Sequence, residues 1–237
     1  MKTYRAKAGP FKEAVYYEVH DIERICLDEL RAAGFYPSSP EPIRIERFLE
    51  KKFITPSYDD LPEGVLGVTK FGSRGVEEIV ISRSLSEEGT RVAERRLNTT
   101  MAHEAGHGLL HAHLFVLEGE ALLPFPDGVD TVARKILCRN DAVPQGNSGG
   151  INRYDGRWWE VQANRAIGAL LLPKPLVEQA LGAVLGTRGS IGTRALEAGR
   201  REKAAALLTE IFDVNPRVAR IRLQDFYPES NDGQLTL

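Results

Sequence analysis

Histidine, glutamate and a second histidine stand at His103, Glu104 and His107, within the stretch NTTMAHEAGHGLLHAH at 98–113. Their order is H-E-x-x-H. On a helix, side chains four apart share a face, so the two imidazoles address one point. Imidazole nitrogen suits a divalent ion such as Zn2+, and two histidines leave room for a third protein ligand and a water. Glu104 follows the first histidine and is placed to serve that water as general base. The pattern is therefore the local equipment of a zinc hydrolase, short of one ligand. His111 lies one further turn along, on nearly the same face. It is expected to support the ligands or to pack in the core rather than to bind metal.

Such residues need a rigid helix under them. Asn98 or Thr99 can cap its start. Gly106 and Gly108 lower helix propensity; either they admit another element at close range or they are merely tolerated. A second strong stretch, RWWEVQANRAIGALLL at 157–172, reads as a buried helix on the spacing of Trp159, Ala163, Ala166, Ile167, Leu170 and Leu171. Glu160 and Asn164 are four apart and share one of its faces. A carboxylate buried there requires a partner. A metal on His103 and His107 would supply one, with Asn164 orienting a ligand by a hydrogen bond. Otherwise Glu160 is an ordinary surface glutamate. Tyr154, Arg157 and His111 are candidates to donate a hydrogen bond to the oxyanion of a hydrolytic transition state.

The remaining chain supplies the frame. Residues 11–33 carry apolar side chains at helical spacing, with Gly34 as the stop. Pro37, Pro40 and Pro42 break the pattern before a short helix over 43–53. Strands are expected at 66–70 and 78–82 around a glycine turn at 72–75, then a short helix within 84–92. Residues 130–139 read as helix or strand, and 140–156 as an exposed loop. Helices are expected over 176–185, 195–212 and 217–226, with GTRGSIGT between the first two as a linker. Arg91, Arg95 and Arg96 form a basic cluster, expected to be a solvated face. Cys26 falls on an apolar stripe and reads as a structural thiol. Cys138 has no cysteine nearby in sequence, so it is expected to be structural or incidental rather than a metal ligand.

Bulk properties narrow the class. The 237 residues are 42% hydrophobic and 27% charged, an ordinary globular mixture, and the net charge of -2 gives no global pull toward nucleic acid or anionic membrane. Two cysteines make no disulfide scaffold. The opening MKTYRAKAGPFKEA has no apolar core of signal-peptide type, and apolar runs are interrupted well before a membrane-spanning length. The expectation is a cytoplasmic protein with no membrane segment.

Several stretches, in this order, resemble the ImmA/IrrE family of zinc metallopeptidases. YEVHDIERICLDELRAAG and IRIERFLEKKF are similar to the family's opening helices, and GVLGVTKFG with EEIVISRSLS to its small sheet. RLNTTMAHEAGHGLLH and WWEVQANRAIGALLLP are similar to its two metal-site helices. The likeness covers roughly residues 15–175. It implies an α+β, mainly helical zincin-like metallopeptidase domain over 1–190, with a small β-sheet. It maps the zinc ligands to His103, His107 and Glu160, the catalytic residue to Glu104, and a supporting polar residue to Asn164. The interval from His107 to Glu160 is longer than in compact relatives, so an insertion of about 124–158 is expected to decorate the cleft. LTEIFDVNPRVARIRLQDF, in a helical C-terminal extension over 191–237, resembles a helix-turn-helix segment. Arg217, Arg220 and Arg222 offer it positive charge, though packing or protein contact is favoured over DNA binding. The activity implied is limited endoproteolysis of a regulatory protein or transcriptional repressor. The alternative is a non-hydrolytic zinc-containing regulatory or DNA-binding protein.

Overall fold

The computed structural model describes residues 2–5, 13–117, 129–130, 135–139, 157–188 and 193–228. Two short strands, β1 (Lys2–Arg5) and β2 (Glu13–Tyr16), pair antiparallel and precede helix α1 (Val19–Ala33). Asp21 holds the start of α1 by accepting a hydrogen bond from the Glu18 N–H at 3.3 Å. Gly34, at φ +79°, ends it in the left-handed conformation. The apolar spacing predicts helix from residue 11. The first part is strand instead, because Ala14 and Val15 pair with Tyr4 and Thr3.

Helix α2 (Ile45–Lys52) buries Ile45, Phe48 and Leu49. Strands β3 (Ser57–Asp59), β4 (Val65–Gly72) and β5 (Gly75–Ser82) follow, then the short helix α3 (Arg83–Glu87). The long helix α4 (Arg91–Leu117) starts well before the expected Asn98 or Thr99. Thr90 is its cap, the hydroxyl accepting from the Ala93 N–H at 3.1 Å. Thr99 and Thr100 instead donate their hydroxyls to the carbonyls of Arg95 and Arg96 one turn back.

Strands β6 (Val129–Asp130) and β7 (Lys135–Arg139) complete a five-stranded mixed sheet of order β3-β5-β4-β7-β6. Only β3 runs parallel to its neighbour. Part of the region expected to decorate the cleft is thus an inner strand of the sheet. The expected exposed loop at 140–156 lies outside the described residues. Helix α5 (Trp158–Leu171) lies against α4, followed by α6 (Lys174–Ala180). The expected GTRGSIGT linker contributes two paired strands, β8 (Gly186–Arg188) and β9 (Thr193–Ala195). A 3-10 turn at Ala198–Arg200 leads into α7 (Arg201–Phe212), and α8 (Pro216–Phe226) follows after a left-handed turn at Asp213.

The architecture is α+β. One apolar cluster runs from Ile22 and Leu30 through Ile79, Ile81 and Trp159 to Leu208, Phe212 and Leu223, so the C-terminal helices share the core of the rest. No helix among the described residues is long and apolar enough to cross a membrane.

Two polar anchors fix α4 and α5 in that core. Of the arginines expected to form a solvated face, Arg91 is exposed as expected, whereas Arg95 is largely covered. Arg91 and Arg95 both reach Asp213, at 2.9 and 2.8 Å, and both reach Glu210 across on α7, at 3.1 and 2.9 Å. Arg222 of α8 is buried. Its Nε donates to the Leu172 carbonyl at the end of α5 at 2.9 Å, and its two terminal nitrogens grip the Glu23 carboxylate of α1. The fork satisfies a terminal helix carbonyl and a carboxylate together. Arg220 pairs with Glu202 at 2.9 Å. Of the three C-terminal arginines considered for DNA contact, two are held in pairs within the chain.

Candidate metal centre

Residues 99–108 of α4 are buried throughout, and the motif sits inside this interior stretch. Gly106 explains how α5 comes so near. A Cβ there would lie 2.8 Å from Ala166 Cβ and 3.1 Å from Ala163 Cα. At Gly108 it would meet the Phe53 ring at 2.7 Å. Both glycines are therefore close-approach positions, not tolerated accidents. The small residues Gly106, Ala163 and Ala166 bring the α5 backbone against α4, and Glu160 reaches the histidines.

His103 Nε2 is 2.9 Å from His107 Nε2 and 3.2 Å from Glu160 Oε2. His107 Nε2 is 3.6 Å from Glu160 Oε1. All three residues are buried, with donor atoms within 4.8 Å of one another, and the group can hold a metal ion. The hydrogen bonds behind them show why. Gln162 Nε2 donates to the Val15 carbonyl at 2.7 Å. Its Oε1 therefore faces His111 Nε2 as an acceptor, at 2.9 Å. Burial pushes His111 down to about 3, so the ring is neutral and its single proton is the one on Nε2. The bare Nδ1 of His111 then accepts from His107 Nδ1–H at 3.0 Å. Burial, with the charge of His103, also holds His107 well below its ordinary range. The neutral His107 ring is left with an Nε2 lone pair pointing inward. On the other side, His103 Nδ1 donates to Asn164 Oδ1 at 3.1 Å and likewise turns its Nε2 inward.

Two imidazole nitrogens and a carboxylate thus converge on a point that demands a cation. Burial disfavours a charged His103. The hydrogen bond and charge of Glu160 outweigh it, with Glu104 and Asn164 adding, and the net direction is up. A proton on His103 meets that demand incompletely: Glu160 Oε2 is buried without a hydrogen bond of good geometry. The N/N/O donor set fits a zinc ion, for which such atoms are ordinary ligands.

Glu104 turns toward the sheet, its carboxylate still within 4.8 Å of a His103 ring nitrogen. Its Oε2 accepts a 2.5 Å hydrogen bond from the buried Thr69 hydroxyl of β4. Oε1 lies over Gly67, where a Cβ would come within 2.4 Å of it. Burial raises the carboxyl to about 7, against the lowering effects of His103 and Thr69. A carboxyl poised near neutrality is suited to taking and returning a proton.

His103, Glu104, His107, His111, Glu160 and Asn164 are brought together. Arg157 stands half-buried immediately before α5, and Tyr154 lies outside the described residues. Sequence reasoning missed Thr69 and Gly67, and gave Gln162 no role beyond its place on the helical spacing. Gln162 did leave a signal, an amide on an otherwise apolar helical stripe. Cys138, expected to be structural or incidental, is buried on β7 beside Glu104 and His103. A scan against protein-family models finds no match, and no curated protein matches the chain.

Proposed function

We propose that this chain is a zinc-dependent endopeptidase with a zincin-like site, similar to the ImmA/IrrE metallopeptidases, acting by limited proteolysis of a regulatory protein such as a transcriptional repressor. The observation that carries the reading is the convergence of His103 Nε2, His107 Nε2 and the Glu160 carboxylate in a buried space, with Glu104 adjoining it.

His103, His107 and Glu160 would hold the zinc. Asn164 and the Gln162–His111 chain would fix the ring orientations, which outer hydrogen bonds do at most histidine–metal sites. Zinc supplies Lewis acidity, lowering the pKa of water from about 15.7 to about 7 and polarising a peptide carbonyl. Glu104 takes the proton of the attacking water and returns it to the leaving amine. Thr69 holds the Glu104 carboxylate in one orientation while this occurs. Gly67 leaves the space that the carboxylate fills.

The test is cleavage of candidate repressors and an unfolded model substrate by the zinc-loaded protein, with Glu104→Gln alongside. The expected result is defined fragments from the wild type and none from the variant at matched metal content. Equal cleavage by both forms refutes the role of Glu104. Zinc binding through His103 and His107 with no cleavage of any substrate favours the non-hydrolytic alternative.

A further inference from the structure

A second donor set adjoins the one described above. The ligand atoms of His103, Glu104 and Cys138, all fully buried, also lie within 4.8 Å of one another. The strand register creates this set. Cys138 of β7 pairs with Gly67 of β4, and Gly67 is the residue over which the Glu104 carboxylate leans. Thr69 donates to one Glu104 oxygen, and the Cys138 thiol donates to the same carboxylate. The result is a thiol, an imidazole and a carboxylate gathered in one buried space. Cys26 and Cys138 both belong to the apolar cluster, and of the two only Cys138 stands in a group of metal-ligating side chains among the described residues.

Thiolate is a soft ligand that favours zinc, cadmium and cobalt over hard ions such as magnesium. A tetrahedral ion with bonds of about 2.0–2.3 Å separates its ligands by about 3.3–3.8 Å. Side-chain adjustments of about 1 Å bring the three donors to that spacing.

We propose that the chain binds a thiophilic divalent metal in two alternative ways: through His103, His107 and Glu160, or through His103, Glu104 and Cys138. The first way is the reading given under the proposed function, and the second rests on it through the shared His103. Because His103 belongs to both sets, one ion is bound per chain. In forming the second arrangement the Cys138 S–H bond breaks, its proton leaves to solvent and a metal–sulfur bond forms, with no change of oxidation state. Glu104 is then a ligand and cannot act as a base. The protein retains its metal while hydrolysis is off.

The experiment titrates the metal-free full chain with Co2+ and with Cd2+, comparing wild type, Cys138→Ser and Cys138→Ala after checking each fold by circular dichroism. The expected result is a thiolate-to-cobalt charge-transfer band that saturates at one ion per chain. It disappears in both variants while the visible cobalt bands of nitrogen and oxygen ligation persist. Cadmium affinity falls about tenfold or more in the variants. The cadmium NMR shift of the wild type reports sulfur ligation without any substitution. Visible cobalt bands without a charge-transfer band, together with a sulfur-free cadmium shift, overturn the inference and leave the hydrolytic site standing. Persistence of the charge-transfer band in both variants assigns the sulfur elsewhere and also overturns it. No cobalt binding of any kind overturns this inference and the proposed function together.

Discussion

Replacing Glu104 by Gln should stabilise the metal-free protein, and by an amount that depends on pH. Glu104 is fully buried, and burial carries its carboxyl from 4.5 to about 7. Between those values the unfolded chain has released a proton that the folded chain still holds. Wild-type stability therefore falls as pH rises through this window, by up to about 1.4 kcal/mol per pH unit. Above the folded value the cost is constant. The shift corresponds to about 3 kcal/mol, and glutamine, which does not ionise, avoids it. The assay is urea unfolding of both proteins in the presence of a chelator, at intervals from pH 4.5 to pH 8. The stability difference should open toward about 3 kcal/mol in favour of the variant by pH 8 and close in acid. Its acid limit is a constant offset set by how the glutamine amide fits against Thr69. A difference that is flat across the range would refute the claim that the native fold penalises an ionised Glu104. The fold then gives up stability to hold a carboxyl near neutrality, the property the proposed base requires.

Other perturbations test the supporting groups. Gln162→Leu removes the acceptor that fixes the His111 tautomer, and zinc affinity by chelator competition should fall about 10–100-fold; unchanged affinity refutes the orienting chain. Gly67→Ala puts a methyl group where Glu104 Oε1 lies, so the carboxylate must turn away from its hydrogen bond with Thr69. Peptidase kcat should drop by about two orders of magnitude while zinc content and melting temperature stay near wild type; a parallel loss of metal would show a site disturbed as a whole. Arg222→Met leaves Glu23 and the Leu172 carbonyl without their partner, a loss of about 3–5 kcal/mol in denaturant unfolding. Adding Glu23→Leu should restore much of that loss, and an additive double variant would show that the pair is not coupled.

His103, Glu104 and His107 were legible because their chemistry is local and helical spacing is unambiguous. Glu160 was legible at one remove, since WWEVQAN carries both a helical pattern and a carboxylate on it. What failed was whatever depends on a distant partner. Ala14 and Val15 continue the apolar spacing of α1, yet pairing with Thr3 and Tyr4 makes them strand. Nothing near Arg91 and Arg95 announces Glu210 and Asp213, which lie over a hundred positions away and turn an expected solvated face into a helix anchor. Cys138 was judged by its sequence neighbours, whereas its place beside Glu104 follows from which strand lies next to β7. Gly106 and Gly108 read as weak points in a helix until Ala166 and Phe53 are found packed on them.

The placement of β7 between β4 and β6 also bears on how the protein folds. Helix α4 and the β4–β5 hairpin form from near neighbours in sequence, but the Gly67–Cys138 pairing closes a loop of roughly seventy residues. Contacts of such separation form late, after local structure exists to receive them. The H-E-x-x-H helix can thus be assembled while the inner edge of β4, beside Thr69 and Gly67, still lacks its strand. A nascent chain in that condition has its histidines in register but has neither the β7 neighbour of Gly67 nor Glu160 of α5 in place. The third donor of the metal group and the strand beside Glu104 thus both wait on long-range contacts, and the site is completed only after its helix.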